Sequence, residues 1–344
     1  MVRCHSFYTL APQYTNYNEN YSFVAIATPL RTLIYDELHS GIQDALSAMG
    51  LEVTFSPYLT AAQAAEQLPQ YNIIIGRTKL PLTKEVLSKC PDLKLIVRAG
   101  AGLDDIDLAY TESQNIAVIN APEGNRTAVG EHALGLILAL LHKIVKSNNE
   151  VTNGIWEREA NRGAELEGKT LGIIGLGNNG SALAKRALAF DCRVITYDKY
   201  LKTSPFENVA LVSLETLQAE ADIVSLHIPL TTETHHLVNT HFLNSFKKPI
   251  YFINVARGKI VNLNALYDAL KAEKVIAAGL DVLENEKIIQ FNDAERQLLK
   301  NFTGLPNTIT TPHIAGLTQE SYLKINQIIV QKVRSFLHHS GVQH

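Results

Sequence analysis

Four charged side chains in the second half of this sequence could together support redox chemistry at an alcohol carbon. Each lies at or soon after the end of an apolar segment; they are Arg257, Asp281, Glu286 and His313. A guanidinium binds a carboxylate through two parallel hydrogen bonds and polarises an adjacent carbonyl. A histidine takes or gives a proton near neutral pH, and a neighbouring carboxylate stabilises its charged form. The set is sufficient for hydride transfer at an alcohol carbon next to a carboxylate.

The positions of these residues matter as much as their types. In open parallel α/β sheets, ligands bind beyond the carboxyl ends of the strands. Considered alone, Arg257 is explained equally well by a functional role and by a structural role as a surface arginine that caps a strand. His313 alone is better explained as a hydrogen-bonded structural histidine than as a catalytic residue. Their appearance after successive predicted strands of one sheet favours a shared active site.

A glycine-rich turn precedes this group. The segment GIIGLGNNG at 172–180 follows a predicted strand and carries Gly175, Gly177 and Gly180. In a strand-turn-helix unit the first glycine permits the tight turn, the second lets the backbone approach a pyrophosphate, and the third allows close packing of helix on strand. The next predicted strand ends at Asp198, where a carboxylate binds a ribose diol and repels a 2′-phosphate. The pattern predicts NAD rather than NADP as the cofactor.

Short apolar strands alternate with amphipathic helices along the chain, which predicts two parallel α/β domains. The first series has predicted helices near residues 34–49, 61, 83 and 108, and predicted strands at 23–27, 51–55, 72–76, 93–97 and 116–120. The second begins with an Ala/Leu-rich helix at 127–146 and has predicted strands at 171–174, 193–197, 222–226, 250–254, 276–280 and 308–310. A final helix at 319–338 cannot extend the second sheet, so we expect it to return to the first domain.

This order predicts two doubly wound parallel-sheet domains, with a Rossmann NAD-binding domain inserted in a flavodoxin-like substrate domain. The predicted substrate domain comprises residues 1–121 and 317–344, and the predicted NAD-binding domain comprises residues 122–316.

The composition is that of an ordinary globular protein. Of 344 residues, 46% are hydrophobic and 19% are charged, and the net charge of −3 gives no reason to expect a nucleic-acid partner. No apolar run is long enough to span a bilayer. The 3 cysteines lie far apart, which favours a reducing compartment. We therefore expect a cytoplasmic protein with a small-molecule substrate and no membrane partner.

Two further expectations concern metal binding and assembly. His235, His236 and His241 lie close in sequence without the spacing of a metal site, so we predict solvated loop residues and no metal. The predicted helix at 127–146 is apolar over more than one face, which predicts burial between domains or subunits and a homodimer.

Eight motifs resemble those of the D-2-hydroxyacid dehydrogenases, and the resemblance covers nearly the whole chain from residue 23 onward. The motifs are RAGAGLDDID at 98–107, NAPEGNRTAVGEHALGLILAL at 120–140, GIWER at 154–158, ELEGKTLGIIGLG at 165–177, HIPLTTETHHLVN at 227–239, NVARG at 254–258, AGLDVLENE at 278–286 and TPHIAG at 311–316. The resemblance implies an NAD-dependent oxidoreductase acting on a 2-hydroxy acid.

The resemblance also implies a role for each matching residue. Arg257 would bind the substrate carboxylate and carbonyl, His313 would be the acid/base, and Glu286 would be its partner. Asp281 would lie by the nicotinamide carboxamide. The implied cofactor-binding residues are Gly175, Gly177, Asn178, Asn179, Gly180, Asp198, Pro229, Val255, Ala256, Asp281 and Gly316.

Two arginines of the first domain suggest a phosphorylated substrate. Arg77 and Arg98 follow neighbouring predicted strands, and two guanidiniums suit a dianionic phosphate. We expect the backbone of Gly100, Ala101 and Gly102 to help hold the carboxylate at the other end.

Two other hypotheses stay open. One is a reductase of glyoxylate, hydroxypyruvate or another unphosphorylated 2-oxo acid, since Arg98 recurs in relatives that act on other acids and Arg77 could be a structural cap. The other is an NAD-sensing corepressor that uses a closed dimer to bind proteins; absence of turnover with nucleotide-dependent peptide binding would favour it. Because the chain stops soon after the last predicted helix, we expect a form without a C-terminal regulatory domain.

The chain departs from the family pattern at three places. Asn178 and Asn179 stand where the family usually has a basic or polar residue and an isoleucine, which loosens the packing expected at the helix start. After Arg257, the segment VNLN replaces an acidic pair, and we expect only a local effect on helix capping. The segment 287–307 is long, with a helical pattern of its own, and we expect it to cover the site or shape an interface.

Overall fold

A computed structural model describes residues 29–339, which divide into two compact units. The first unit extends to Gly124 and resumes at Tyr322, and the second unit is Asn125–Ser321. The sequence-based division puts the corresponding boundaries at 121/122 and 316/317. The strand predicted at 23–27 and the residues before it lie outside the described residues.

Within the described residues, five parallel strands form the sheet of the first unit, in the order β2-β1-β3-β4-β5 that is typical of flavodoxin-like folds. The strands are β1 (Arg31–Ile34), β2 (Glu52–Phe55), β3 (Ile73–Gly76), β4 (Leu95–Arg98) and β5 (Ala117–Asn120). The helices between them are α1 (Gly41–Ser47), α2 (Ala61–Gln67), α3 (Lys84–Leu87) and α4 (Leu108–Ser113).

The first of these strands corrects a prediction. The helix expected from residue 34 begins only at Gly41, and Arg31–Ile34 is a strand paired on one side with β2 and on the other with β3. Leu33 and Ile34 are fully buried on opposite faces of the sheet. A short apolar run buried on both faces has no alternating pattern, so periodicity does not reveal it.

Seven parallel strands form the sheet of the second unit within the described residues, in the order β12-β11-β10-β9-β6-β7-β8. Apart from the added edge strand β12, this is the order of the Rossmann fold. The strands are β6 (Thr170–Ile174), β7 (Arg193–Tyr197), β8 (Val209–Leu211), β9 (Ile223–Leu226), β10 (Ile250–Asn254), β11 (Val275–Leu280) and β12 (Thr308–Thr310). The three-residue edge strand β8 is absent from the sequence-based prediction.

The helices that accompany this sheet are α5 (Pro122–Leu141), α6 (Ile144–Thr152), α7 (Asn178–Ala187), α8 (Leu214–Glu220), α9 (Thr240–Asn244), α10 (Leu263–Lys271) and α11 (Asp293–Thr303). The single helix predicted at 127–146 is wrong, because Lys143 adopts a left-handed φ of 52° and separates α5 from α6. Within residues 29–339, no single helix is long and apolar enough to cross a membrane; only α5 and α6 together, bent by 60°, meet that test.

The last helix, α12 (Gln319–His339), returns to the first unit as predicted. Ile329 and Val333 of α12 are fully buried in the same core as Ile34, Ile75 and Val97 of the first sheet. The fold is therefore a Rossmann domain inserted in a flavodoxin-like domain, as the sequence predicts.

Candidate active site

The glycine turn after β6 has a geometry that requires glycine at two positions. Gly175 has a φ of 94°, and a Cβ atom there would lie 2.8 Å from the carbonyl oxygen of His227. A Cβ atom at Gly180 would lie 2.0 Å from the carbonyl oxygen of Gly175, so α7 packs directly against the turn.

The remaining glycine of the turn opens onto free space. No heavy atom lies within 4 Å of the Cβ position of Gly177, which is the N-cap residue of α7. The N–H groups of the first helical turn carry the positive end of the helix dipole at this point. A closely packed turn beside an open helix N-terminus fits the pyrophosphate of a dinucleotide. Asn178 and Asn179 are the first two residues of α7, and their contact with a cofactor stays a prediction.

Asp198 lies directly after β7 and is bonded to the same turn. Its Oδ2 accepts a hydrogen bond from the Leu176 N–H at 2.9 Å, and its Oδ1 accepts from the N–H groups of Tyr200 and Leu201 at 2.9 and 3.2 Å. Three backbone donors therefore fix the orientation of the carboxylate beside the glycine turn. Its contact with a ribose stays a prediction.

Three neighbouring strands of the second unit end at one level, and the candidate catalytic residues follow these ends. Asn254 of β10 pairs with Leu280 of β11, which pairs with Thr310 of β12. Arg257, Asp281 and His313 follow these strand ends within three residues. The parallel register thus places at one sheet edge residues that are far apart in sequence.

His313 and Glu286 form a direct pair. The distance from His313 Nδ1 to Glu286 Oε2 is 2.9 Å, and both side chains are about half exposed. The hydrogen bond to Glu286 raises the pKa of His313, against opposing effects of burial and of the Arg257 charge. Because Nδ1 is occupied by Glu286, Nε2 is the nitrogen that can exchange a proton with a substrate.

Arg257 lies in a turn whose shape Asn254 maintains. The fully buried Asn254 side chain donates to the Arg257 carbonyl at 3.1 Å and accepts from the Ala256 N–H at 3.0 Å. A Cβ atom at Gly258 would lie 1.7 Å from the carbonyl oxygen of Leu283, so this turn packs against the segment that leads to Glu286.

Asp281 holds the loop that carries His313. Its carboxylate is 1% exposed and accepts hydrogen bonds from the Thr311 hydroxyl at 2.6 Å and from the N–H groups of Ile314 and Ala315 at 2.9 and 2.8 Å. The His313 N–H donates to the Asp281 carbonyl at 2.7 Å. His313 itself has a left-handed φ of 56°, which is strained for a residue other than glycine. The hydrogen bonds to Asp281 maintain this conformation. Asp281 therefore positions His313, and its contact with a nicotinamide stays a prediction.

His132 completes this network, and sequence reasoning missed it. Its Nε2 lies 3.0 Å from the Thr311 hydroxyl and 3.5 Å from the Asp281 carboxylate. Because Thr311 donates its proton to Asp281, His132 must donate the Nε2 proton to Thr311. The signal in the sequence was a polar pair, Glu131 and His132, in the otherwise apolar segment AVGEHALGL of α5.

The other predicted residues of this unit are placed as follows. Pro229 is exposed in the loop after β9, and Val255 and Ala256 are buried directly after β10. Gly316 follows the His313 loop, where a Cβ atom would lie 2.6 Å from the Asn125 side chain. The histidine segment at 235–241 includes His236, whose Nε2 lies 2.6 Å from the Glu284 carboxylate.

In the first unit, Arg77 lies directly after β3 and is partly exposed. Its backbone N–H donates to the Asp36 carboxylate at 2.9 Å, and its guanidinium donates to the Tyr322 hydroxyl. The guanidinium carbon lies 4.7 Å from the centre of the Tyr322 ring, so an aromatic contact also orients this cation.

Arg98 has different surroundings from those the sequence predicts. It is 2% exposed and donates to the Asp105 carboxylate, while its Nε and Nη1 are buried and make no hydrogen bond within the described residues. The loop between Arg98 and Asp105 contains Gly100, Ala101 and Gly102. The structure therefore gives Arg98 a structural contact beneath this loop, and direct contact with a phosphate stays a prediction.

Comparison with known proteins identifies the family of this chain. Residues 134–315 match the model of the D-isomer specific 2-hydroxyacid dehydrogenase, NAD binding domain. The chain is 37% identical over 88% of its length to a D-3-phosphoglycerate dehydrogenase of Archaeoglobus fulgidus. It is 38% identical over 82% of its length to a hydroxypyruvate reductase of Thermotoga maritima. The chain belongs to the D-isomer specific 2-hydroxyacid dehydrogenase family.

Solved structures of this family share the fold. A D-lactate dehydrogenase from Aquifex aeolicus, complexed with NAD and lactic acid, superposes with a TM-score of 0.80 at 31% identity and covers 90% of this chain and 96% of that one. The lengths of the relatives differ: the chain spans 56% of the Archaeoglobus fulgidus protein and 90% of the Thermotoga maritima protein. The second unit is thus an NAD-binding domain of this dehydrogenase family.

Proposed function

We propose that this dehydrogenase oxidises 3-phospho-D-glycerate to 3-phosphohydroxypyruvate with NAD, a step toward L-serine. The observation that supports a phosphorylated substrate is the position of Arg77, a partly exposed cation directly after a strand of the substrate domain. Relatives from Archaeoglobus fulgidus and Methanocaldococcus jannaschii, 37% and 33% identical, are D-3-phosphoglycerate dehydrogenases and support the assignment.

His313 would act as the base. Its Nε2 takes the proton of the substrate hydroxyl, and the Glu286 carboxylate stabilises the imidazolium that forms. Asp281, through its bonds to the loop, keeps His313 in the conformation that aims the ring. Bound NAD supplies the hydride acceptor at its nicotinamide ring.

Arg257 would bind the other reacting groups of the substrate. Its guanidinium is suited to a carboxylate and to the carbonyl oxygen that develops as the hydroxyl loses its proton. The register of β10, β11 and β12, which aligns the strand ends that precede Arg257 and His313, supports a common location for the two residues. Asn254 and Gly258 fix the turn from which the guanidinium extends.

Arg77 would bind the substrate phosphate. Tyr322 restricts the guanidinium by a hydrogen bond and by ring contact, which lowers the entropy lost when the guanidinium binds an anion. Arg98 would act indirectly, because its ion pair with Asp105 supports the loop of Gly100 to Gly102.

Steady-state rates test this proposal. We expect a far higher kcat/KM for 3-phospho-D-glycerate than for D-glycerate or D-lactate. Arg77→Ala should raise the KM for the phosphorylated acid by about tenfold or more, because a charge-assisted contact is lost, and should leave the KM for D-glycerate nearly unchanged. Arg31→Ala, at an exposed arginine of the same unit, is the matched control. Equal effects of Arg77→Ala on both acids would contradict phosphate binding.

A second candidate function is reduction of hydroxypyruvate or glyoxylate. It is favoured by the 38% identity to the Thermotoga maritima hydroxypyruvate reductase, 90% of whose length this chain spans. In this case Arg77 would be a structural partner of Tyr322. NADH-dependent reduction of hydroxypyruvate with a kcat/KM above that for 3-phosphohydroxypyruvate would select this alternative.

A further inference from the structure

The glycine turn that accommodates the cofactor carries no cation of its own. The segment 175–180 reads GLGNNG, without lysine or arginine. His227, whose carbonyl lies against Gly175, is also uncharged at neutral pH, because burial lowers the pKa of its imidazole to about 3. The pyrophosphate of NAD carries two negative charges, and a helix N-terminus compensates only about half of one charge.

An arginine of helix α5 lies beside the N-terminus of α7. Arg126, in the first turns of α5, has an exposed side chain, and its Nη1 lies 3.5 Å from Oδ1 of Asn178, the first residue of α7. Within residues 29–339, no carboxylate forms an ion pair with Arg126, whereas Arg186 of α7 is paired with Glu131 at 2.9 Å. The charge of Arg126 is therefore available to an anion.

Close helix packing determines this placement. A Cβ atom at Gly130 would lie 2.8 Å from the backbone of Ala182, so α5 and α7 touch where no side chain separates them. Arg126 and Asn178 each lie four residues, about one helical turn, before this contact. The register of two rigid helices therefore holds the guanidinium at the helix N-terminus.

We propose that Arg126 is a cofactor-binding residue whose guanidinium binds the pyrophosphate of NAD beside Gly177 and Asn178. The side chain supplies from α5 the positive charge that the glycine turn lacks. Both helices belong to the NAD-binding domain, so this role is independent of which hydroxy acid is the substrate.

Binding measurements with the full chain test this role without turnover. Titration of NADH by fluorescence should show a Kd about tenfold higher for Arg126→Ala than for the native protein, since one exposed charge-assisted bond is lost. Arg126→Lys keeps the charge and should lose much less. Arg162→Ala, an exposed arginine of the same unit, is the matched control and should bind NADH like the native protein.

Two further measurements locate the contact on the cofactor. Arg126→Ala should weaken binding of ADP-ribose, which contains the pyrophosphate, and leave binding of adenosine unchanged. Added salt should weaken NADH binding less in Arg126→Ala than in the native protein, because one screened attraction is missing. Native affinity for NADH in Arg126→Ala would overturn the proposal, and so would equal weakening of ADP-ribose and adenosine.

Discussion

Each unit carries an ion pair at the carboxyl ends of its parallel strands, and the two pairs have opposite surroundings. His313 and Glu286, 2.9 Å apart, are 50% and 45% exposed. Arg98 is 2% exposed, with an Asp105 partner that is 26% exposed. The same signal, a charged residue at or after a strand end, predicts contact with substrate for both His313 and Arg98. Strand position therefore locates the functional edge of a sheet, whereas burial decides whether a charged side chain at that edge is available to a ligand.

The difference has a local cause. Arg98 is the last residue of β4, so its side chain lies on the same face as Ile96, which is buried in the core. His313 lies beyond its strand in a loop that Asp281 holds, and its left-handed backbone turns the side chain away from the strand alternation. A residue inside a strand follows the alternation of the sheet, and a residue in a loop does not.

Replacement of His313, the exposed member of this comparison, has the largest expected effect, which is on turnover. His313→Ala should lower kcat by about 10³-fold, because the proton acceptor is lost, while the Kd for NADH stays nearly native. Stopped-flow turnover and NADH fluorescence measure the two quantities. His235→Ala changes a histidine outside the site and serves as the control; ordinary turnover in His313→Ala would contradict the assignment.

Removal of the charge on Glu286 gives a smaller effect with a diagnostic pH dependence. In the proposed mechanism, oxidation needs neutral His313, so its rate should rise as the pH increases through the raised pKa of His313. Reduction needs the imidazolium, so its rate should fall over the same range. Glu286→Gln removes the main cause of the raised pKa. The pH profile of kcat/KM for oxidation should therefore shift to lower pH, and kcat should fall by about tenfold. An unshifted pH profile in Glu286→Gln would contradict the prediction that Glu286 raises the pKa of His313.

Removal of the partner of Arg98 should change stability rather than chemistry. Asp105→Asn leaves the buried guanidinium of Arg98 without a countercharge. The free energy of unfolding should fall by about 2 kcal/mol, a value that allows for the partial exposure of Asp105. The midpoint of thermal unfolding should fall by roughly 5 °C in calorimetry. Glu286→Gln is the matched control and should leave the midpoint unchanged, since its pair is half exposed. Equal midpoints for both variants would contradict a structural role for the Arg98 pair.

Much of the fold could be predicted from local patterns. The glycine turn at 172–180, the strands at 193–197, 250–254 and 308–310, and the final helix depend on short-range chemistry that the sequence displays directly. The failures have physical reasons too. β1 is buried on both faces and lacks a period, β8 is a three-residue edge strand, and the helix break at Lys143 depends on one left-handed residue without a glycine to mark it.

The family, the NAD-binding domain and its insertion in a flavodoxin-like domain follow from the amino-acid sequence alone, because the motifs indicate the family and the order of strands, helices and glycines encodes topology locally. The exposure of each charged side chain depends instead on tertiary packing. In the folded chain Arg98 is buried, and Asp281 accepts hydrogen bonds from the His313 loop. His132 contacts Thr311, and Arg126 contacts Asn178. These outcomes depend on strand register and on helix contacts between residues distant in sequence, and the energy of a charge depends on those surroundings.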